Sequence, residues 1–145
     1  MKEMTQPAMI RYVSRFTDGM RVLVVGSPQW DDWRTLHTEL DAVLGALPGG
    51  RLAVLHDDSA YGASFYARCW VEKNCALKVP VHSENWNPDS IFTEPPHLVL
   101  AFPFRESRDT EAVLDAAREA GIPSRTAARK SWPKIRKVVK KAVES

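Results

Sequence analysis

The chain of 145 residues contains no apolar run near the roughly 20 residues that a membrane-spanning helix requires. Met1 to Met20 also lacks the apolar centre and cleavage pattern of a signal peptide. Together these absences lead us to expect a cytoplasmic protein. Cysteine is scarce: Cys69 and Cys75 stand alone, with no second pair and no histidines at metal-ligand spacing. That excludes a disulfide scaffold or zinc ribbon, and it suits a reducing compartment. None of the seven glycines falls in a G-x-G-x-x-G fingerprint, which argues against dinucleotide binding of the dehydrogenase type. No Ser, Cys or Thr pairs with a histidine in a recognisable nucleophile motif, so no catalytic residue, metal or cofactor is assigned.

The 44% hydrophobic content is enough for one substantial core, and the length is too short for two ordinary domains. Charge is unevenly distributed. The whole chain carries +2, but Ser124 to Ser145 holds eight Lys or Arg against the single acid Glu144, a net of +7. The rest of the chain is therefore at −5, a mildly acidic body with a basic tail.

Hydrophobic periodicity gives the order of elements. Residues 1–19 form an N-terminal docking segment, in which Ile10, Val13 and Phe16 have helical spacing and Pro7 is tolerated in a first turn. Arg21 to Gly26, RVLVVG, has the composition of a central parallel strand buried on both faces. After a loop from Ser27 to Asp32, a stripe of Trp33, Leu36, Leu40, Val43, Leu44 and Leu47 predicts an amphipathic helix with Trp33 packed inward, stopped by Pro48-Gly49-Gly50. A second strand at Leu52 to His56 and a helix from about Ser59 to Asn74 follow, with Ala63, Ala67, Trp70 and Val71 inward. Leu77 to Val81 reads as a third strand, placed on an edge because Pro80 cannot donate to a ladder.

Asn85 to Pro96 is a polar, proline-rich loop before the fourth strand, Leu98 to Phe102. The helix after it carries Val113, Leu114 and Ala117 inward and closes at Gly121-Ile122-Pro123. A short fifth strand is expected around Arg125 to Ala128. The segment 129–145 reads as a basic amphipathic C-terminal helix, with Ser131 as N-cap, Pro133 in the first turn, and Ile135, Val138, Val139, Ala142 and Val143 on one face. Strands alternating with helices every 20 to 30 residues or so predict an α/β fold. The expected architecture is a Rossmann-like three-layer sandwich over residues 20–128, its mostly parallel sheet ordered 3-2-1-4.

Several residues along this scaffold carry a family likeness. They are the RVLVVGS strand and turn from Arg21 to Ser27 with Trp30 beyond it, His56, Gly62-Ala63, Trp70, Trp86, Ala101-Phe102-Pro103, Thr110, and Ala120-Gly121-Ile122-Pro123. In their order and spacing the chain resembles the SLOG superfamily of Rossmann-like nucleotide-binding domains, nearest to its small YspA-like members. The resemblance implies a nucleotide ligand at the strand ends and the pairing of two copies through helices. The chain departs from the family pattern at those same ends. Pro28 replaces an arginine after Gly26-Ser27, and Asp57-Asp58 enter the turn after His56. The loop from Asn87 to Glu94 stands where relatives have an Arg-Asn segment. The phosphate loop Pro-Gly-Gly-x-Gly-Thr has become Pro103-Phe104-Arg105-Glu106-Ser107-Arg108-Asp109-Thr110. Related phosphoribohydrolases have a glutamate where this chain has Val113, with Glu111 out of register.

The candidate ligand-binding residues are Gly26, Ser27, His56, Ser59, Tyr61, Gly62, Arg105, Ser107, Arg108 and Thr110. Arg105 and Arg108 supply bidentate donors beside a helix start with free N–H groups, which suits an anion. The alternative is a self-paired charged loop in which Ser107 or Asp109 is only an N-cap. His56 with Asp57, Asp58 and Ser59 suits acid–base work or a metal, or else a simple strand end and cap. Trp30, Trp33, Tyr61, Phe65 and Tyr66 form either a base-stacking platform or core, with Tyr61 the best stacking candidate.

Three functions follow. The first is binding of a nucleotide or nucleotide-derived ligand, to sense or sequester it. The second is an interaction module that engages nucleic acid or another acidic partner through Arg129–Lys141. The third is a phosphoribohydrolase-like hydrolase of nucleoside monophosphates. A homodimer is compatible with all of them.

Overall fold

A computed structural model describes residues 4–105 and 107–128, so the basic C-terminal helix expected over 129–145, and Glu106, lie outside the described residues. Five strands form one all-parallel sheet: β1 Met20–Gly26, β2 Leu52–His56, β3 Val81–Asn85, β4 Leu98–Phe102 and β5 Ser124–Thr126. Their order across the sheet is β3-β2-β1-β4-β5, an α/β arrangement of the Rossmann-like kind. β-Branched and leucine residues dominate the central strands, because both faces of a parallel sheet are buried by crossover segments. Every residue of β2 and β4 is buried.

The period-2 alternation divides the core in two. Val22, Val24, Val54, Leu98, Leu100 and Phe102 face a large cluster with α1 Gln6–Val13, α2 Trp33–Ala46 and α3 Gly62–Ala76. Leu23, Leu55, Val99 and Ala101 face a smaller cluster with α4 Arg108–Glu119 and a short 3-10 turn, Pro88–Ile91. That turn supplies the buried Ile91 from within the loop expected at Asn85 to Pro96.

Four expectations need correction. In α1 the buried residues are Met9 and Val13, an i, i+4 pair, whereas Ile10 is 41% exposed; Phe16 lies past the helix, its ring 4.7 Å from that of His97. Trp33 is 42% exposed rather than inward: as the first residue of α2 it packs on His37 at 5.4 Å and under Arg34 at 5.3 Å. The third strand is Val81–Asn85, not Leu77 to Val81. The N–H groups of Leu77, Lys78 and Val79 are used by carbonyls of Asn74 and Cys75 at the end of α3, and Lys78 takes φ 62. The fifth strand begins one residue earlier than expected and stops at Thr126.

An ion pair that the sequence does not advertise ties β5 to α2. Arg125 on β5 donates from Nε and Nη2 to the two oxygens of Glu39 on α2, at 2.7 and 2.9 Å, with both side chains mostly buried. The Met4 N–H donates to the Ser124 carbonyl at 2.8 Å, which docks the N-terminal segment against β5. No helix among the described residues is long and apolar enough to cross a membrane.

Candidate functional site

Helices after β1 and β2 pack on one face of the sheet, and the helix after β4 packs on the other. In a sheet wound this way, the strand ends between β1 and β4 leave a crevice at the C-terminal edge. A cleft of about 330 Å³ lies there, running from Val25 and Gly26 across to Asp57, Trp86 and Ile91 and bounded by the first turns of α4. Its walls are largely apolar: Val25, Trp86, Pro88, Ile91, Val113 and Ala116. Its polar residues are Asp57, Asp109 and Thr110.

Each of these groups is positioned by a short local device. Asp57 follows β2, and its Oδ1 accepts from the Ser59 N–H at 3.0 Å and from Ser64 Oγ at 2.6 Å. Oδ2 is left without a hydrogen bond among the described residues. Ser107 caps α4, accepting from the Thr110 N–H at 3.4 Å and sharing a hydroxyl hydrogen bond with Thr110 Oγ1 at 2.9 Å. Thr110 is thereby fixed at 2% exposure, and Asp109 sits in the exposed first turn. The Trp86 N–H donates to the His56 carbonyl at 2.7 Å, continuing the line of β3 and bringing the indole over the smaller core. Trp86 is 7% exposed, and its Nε1–H is buried with no hydrogen-bond partner among the described residues.

Of the ten residues expected to bind ligand, Gly26 and Thr110 line this cleft. Gly26 is there for packing: a Cβ would lie 2.5 Å from the Phe102 carbonyl oxygen and 2.8 Å from Ala63 Cβ. Gly62 has φ +70, and a Cβ there would overlap the Ser27 carbonyl oxygen and the Pro28 backbone. These two glycines let α3 close on the turn after β1. Ser27 is buried in that turn. Its N–H donates to the Phe102 carbonyl at 3.2 Å, and its Oγ accepts from the Gln29 N–H at 3.0 Å. Its carbonyl accepts from Trp30 and Ala63 N–H groups at 3.1 and 3.4 Å. The donors that would cradle a phosphate after β1 are thus already engaged within the protein.

His56 is 4% exposed, and its Nδ1 accepts from the Asp58 N–H at 3.0 Å, which places the ring proton on Nε2. Burial, and then the nearby Arg68 guanidinium, push its pKa below the ordinary 6.5 against the pull of Asp58 and Asp57. It is a neutral histidine at the base of the loop. Arg68 pairs with Asp58 at 3.3 Å and donates to the Ser59 carbonyl at 2.7 Å, so the loop after β2 is closed on itself. Tyr61 is 72% exposed just before α3. Arg105, at φ 57, stacks 5.4 Å over the Phe104 ring, and Arg108 is exposed at the start of α4; neither lines the cleft.

The aromatic group is split. Trp30 is 1% exposed, edge-on to Phe102 at 5.4 Å, with its indole N–H on the Asp32 carbonyl at 2.9 Å, so it belongs to the core. Asp32 itself caps α2. Trp33 and Phe65 are exposed on α2 and α3, Tyr66 packs against the larger core, and none of the three lines the cleft.

A wider, more open groove of about 880 Å³ lies at the opposite, N-terminal edge of the sheet, with Arg15, Arg21, Arg51 and His97 among its lining. Only a 3-10 turn is described between β3 and β4, and His82 and Glu84 on β3 pair in solvent at 3.1 Å. The smaller cleft is the more enclosed of the two. Among the described residues no three His, Cys, Asp or Glu side chains converge as they would around a metal ion, and both cysteines are free. Trp86, Asp57, Asp109, Ile91 and Val113 are among the cleft residues absent from the sequence-based site. Asp57 and Trp86 directly follow strands and Asp109 and Val113 lie in the first turns of α4, so their signal was positional, whereas Ile91 comes from the 3-10 turn. Comparison with family models, curated proteins and solved structures finds no match to this chain.

Proposed function

We propose that this chain binds a small nucleotide-derived ligand through its base and sugar, sensing or sequestering it without catalysis. The observation that carries the reading is the cleft at the β1/β4 crevice, apolar in its walls and furnished with a few convergent polar groups. Its volume of about 330 Å³ suits a ligand the size of a nucleoside and is too small for a dinucleotide. A binding role fits better than a hydrolytic one. Val113 presents an aliphatic side chain to the cleft, and none of the four histidines lines it.

The test is thermal unfolding against mono-, di- and cyclic nucleotides, nucleosides and ADP-ribose compounds, with Ala116→Phe as a variant that fills the cleft. A ligand at about 100 times its Kd stabilises the native state by about 2.7 kcal/mol. The reading requires a concentration-dependent rise in Tm that Ala116→Phe abolishes. No shift across the panel, or an equal shift in the variant, refutes it.

A second reading is an interaction module acting through Arg129–Lys141, favoured by the split between a +7 tail and a −5 body. It requires a strongly salt-dependent acidic partner that is lost when the chain is cut after Ala128.

A further inference from the structure

We infer that β3 joins two copies of this chain, paired edge to edge as antiparallel strands across a two-fold axis at Ser83. Two features of the strand carry this: unpaired backbone groups along its outer edge, and side-chain charges that are complementary to themselves under that axis.

β3 is the last strand on its side of the sheet, and four of its five residues are exposed. A residue in a parallel ladder turns both of its backbone groups to one neighbour, and the next residue turns its groups to the other side. The Leu52 N–H donates to the Pro80 carbonyl at 3.2 Å and the Trp86 N–H to the His56 carbonyl at 2.7 Å. In the register of β2 with β3, His82 and Glu84 therefore also face β2, while Val81, Ser83 and Asn85 face outward. Val81 is engaged locally, its N–H with the Val79 carbonyl at 2.8 Å and its carbonyl with the Cys75 thiol at 3.1 Å. The outward backbone groups of Ser83 and Asn85 have no partner among the described residues. The other edge of the sheet is not bare in this way, since the Met4 N–H donates to the Ser124 carbonyl of β5 at 2.8 Å.

Proteins commonly blunt an open edge with charge. Here the charged residues differ in sign and lie two apart on one face of the strand, His82 Nε2 meeting Glu84 Oε2 at 3.1 Å. A two-fold axis at Ser83 sets His82 of each copy opposite Glu84 of the other. Such residues form a non-hydrogen-bonded cross-strand pair, with Cα atoms about 4.5 Å apart, close enough for imidazole to meet carboxylate. The two Ser83 residues then exchange N–H···O=C bonds, and each Asn85 N–H faces the remaining lone pair of the other copy's Val81 carbonyl. Moving the axis one residue, to Glu84, sets the two Glu84 carboxylates against each other, which is destabilising. Charge thus selects the Ser83 register, and the two five-stranded sheets run on as one.

Sedimentation velocity of the full chain over about a hundredfold range of concentration tests the inference, because the dimer must grow with concentration by mass action. Ser83→Pro removes an outward N–H and no bond to β2, so it should raise the dimer dissociation constant about tenfold or more while circular dichroism stays unchanged. His82→Glu and Glu84→Lys, both on exposed side chains, each set like charges opposite one another and should weaken the dimer about tenfold. An equimolar mixture of those two variants should pair again, because every contact between unlike copies then joins opposite signs. A monomer at all concentrations overturns the inference. So does a dimer that keeps its full strength in Ser83→Pro or in the charge variants, or a mixture that fails to pair.

Discussion

The ion pair between Arg125 and Glu39 should be among the most sensitive points of the fold outside the aliphatic core. Glu39→Ala leaves the Arg125 guanidinium without its two carboxylate contacts at 2.7 and 2.9 Å, in a side chain only 19% exposed, with the Met4 carbonyl still in reach at 3.4 Å. Breaking a fully buried pair costs about 3–5 kcal/mol. The residual exposure of both partners lowers that to about 2–4 kcal/mol, a fall in Tm of roughly 6–16 °C for a chain of this size. The double variant Glu39→Leu/Arg125→Met removes both charges and should recover most of the loss, because paired apolar replacements of buried ion pairs are often neutral. Urea unfolding of the two single variants and the double variant gives the coupling energy directly. Single variants that each cost under about 1 kcal/mol and add without coupling would place the pair with ordinary surface salt bridges and refute the argument.

Two further predictions concern the loops around the cleft. Gly26→Ala should cost about 1–3 kcal/mol in urea unfolding, because the added methyl meets the Phe102 carbonyl oxygen at 2.5 Å and neither that strand nor Ala63 can retreat cheaply. A second effect is on pH. Burial lowers the pKa of His37, His56 and His97 from 6.5, so the folded chain holds them neutral while the unfolded chain protonates them. Stability contributed this way is complete above about pH 6.5 and falls as pH drops below it, towards the lower folded values. Tm measured from pH 7.5 to 5.0 should decline on the acid side. His56→Asn, which keeps an acceptor for the Asp58 N–H but does not titrate, should shallow that decline, and an unchanged slope counts against the role of His56.

The scaffold was legible because its central strands are fully buried and its helices are striped. RVLVVG and LVLAF can be little else between polar turns, and Leu36, Leu40 and Val43 recur at helical spacing. β3 was misplaced for a physical reason: VHSEN is an edge strand with four exposed residues, and an apolar-run criterion passes over it for the adjacent Leu77–Val81. Trp33 misled because a large apolar residue in the first position of a helix fits the stripe while staying 42% exposed against His37 and Arg34. The site was legible in location but not in membership. Sequence pointed to the strand ends, yet Ser27 and Gly62 spend their groups on closing α3 against the turn, and the cleft wall is built by Trp86 and Ile91 from a loop with no periodicity to read. Glu39 hid in the same way, as a charged residue whose partner is 86 positions away.

The most direct measurement is a ¹⁵N-resolved NMR titration of the indole N–H resonances with a nucleoside panel, the Trp86 signal assigned by its loss in Trp86→Phe among the chain's five tryptophans. The account predicts that the Trp86 indole resonance moves saturably as the ligand fills the cleft that its ring lines, with accompanying shifts at Asp57, Ile91 and Val113. A ligand that leaves Trp86 unmoved and instead perturbs Arg15, Arg21 and Arg51 at the opposite edge of the sheet would contradict it.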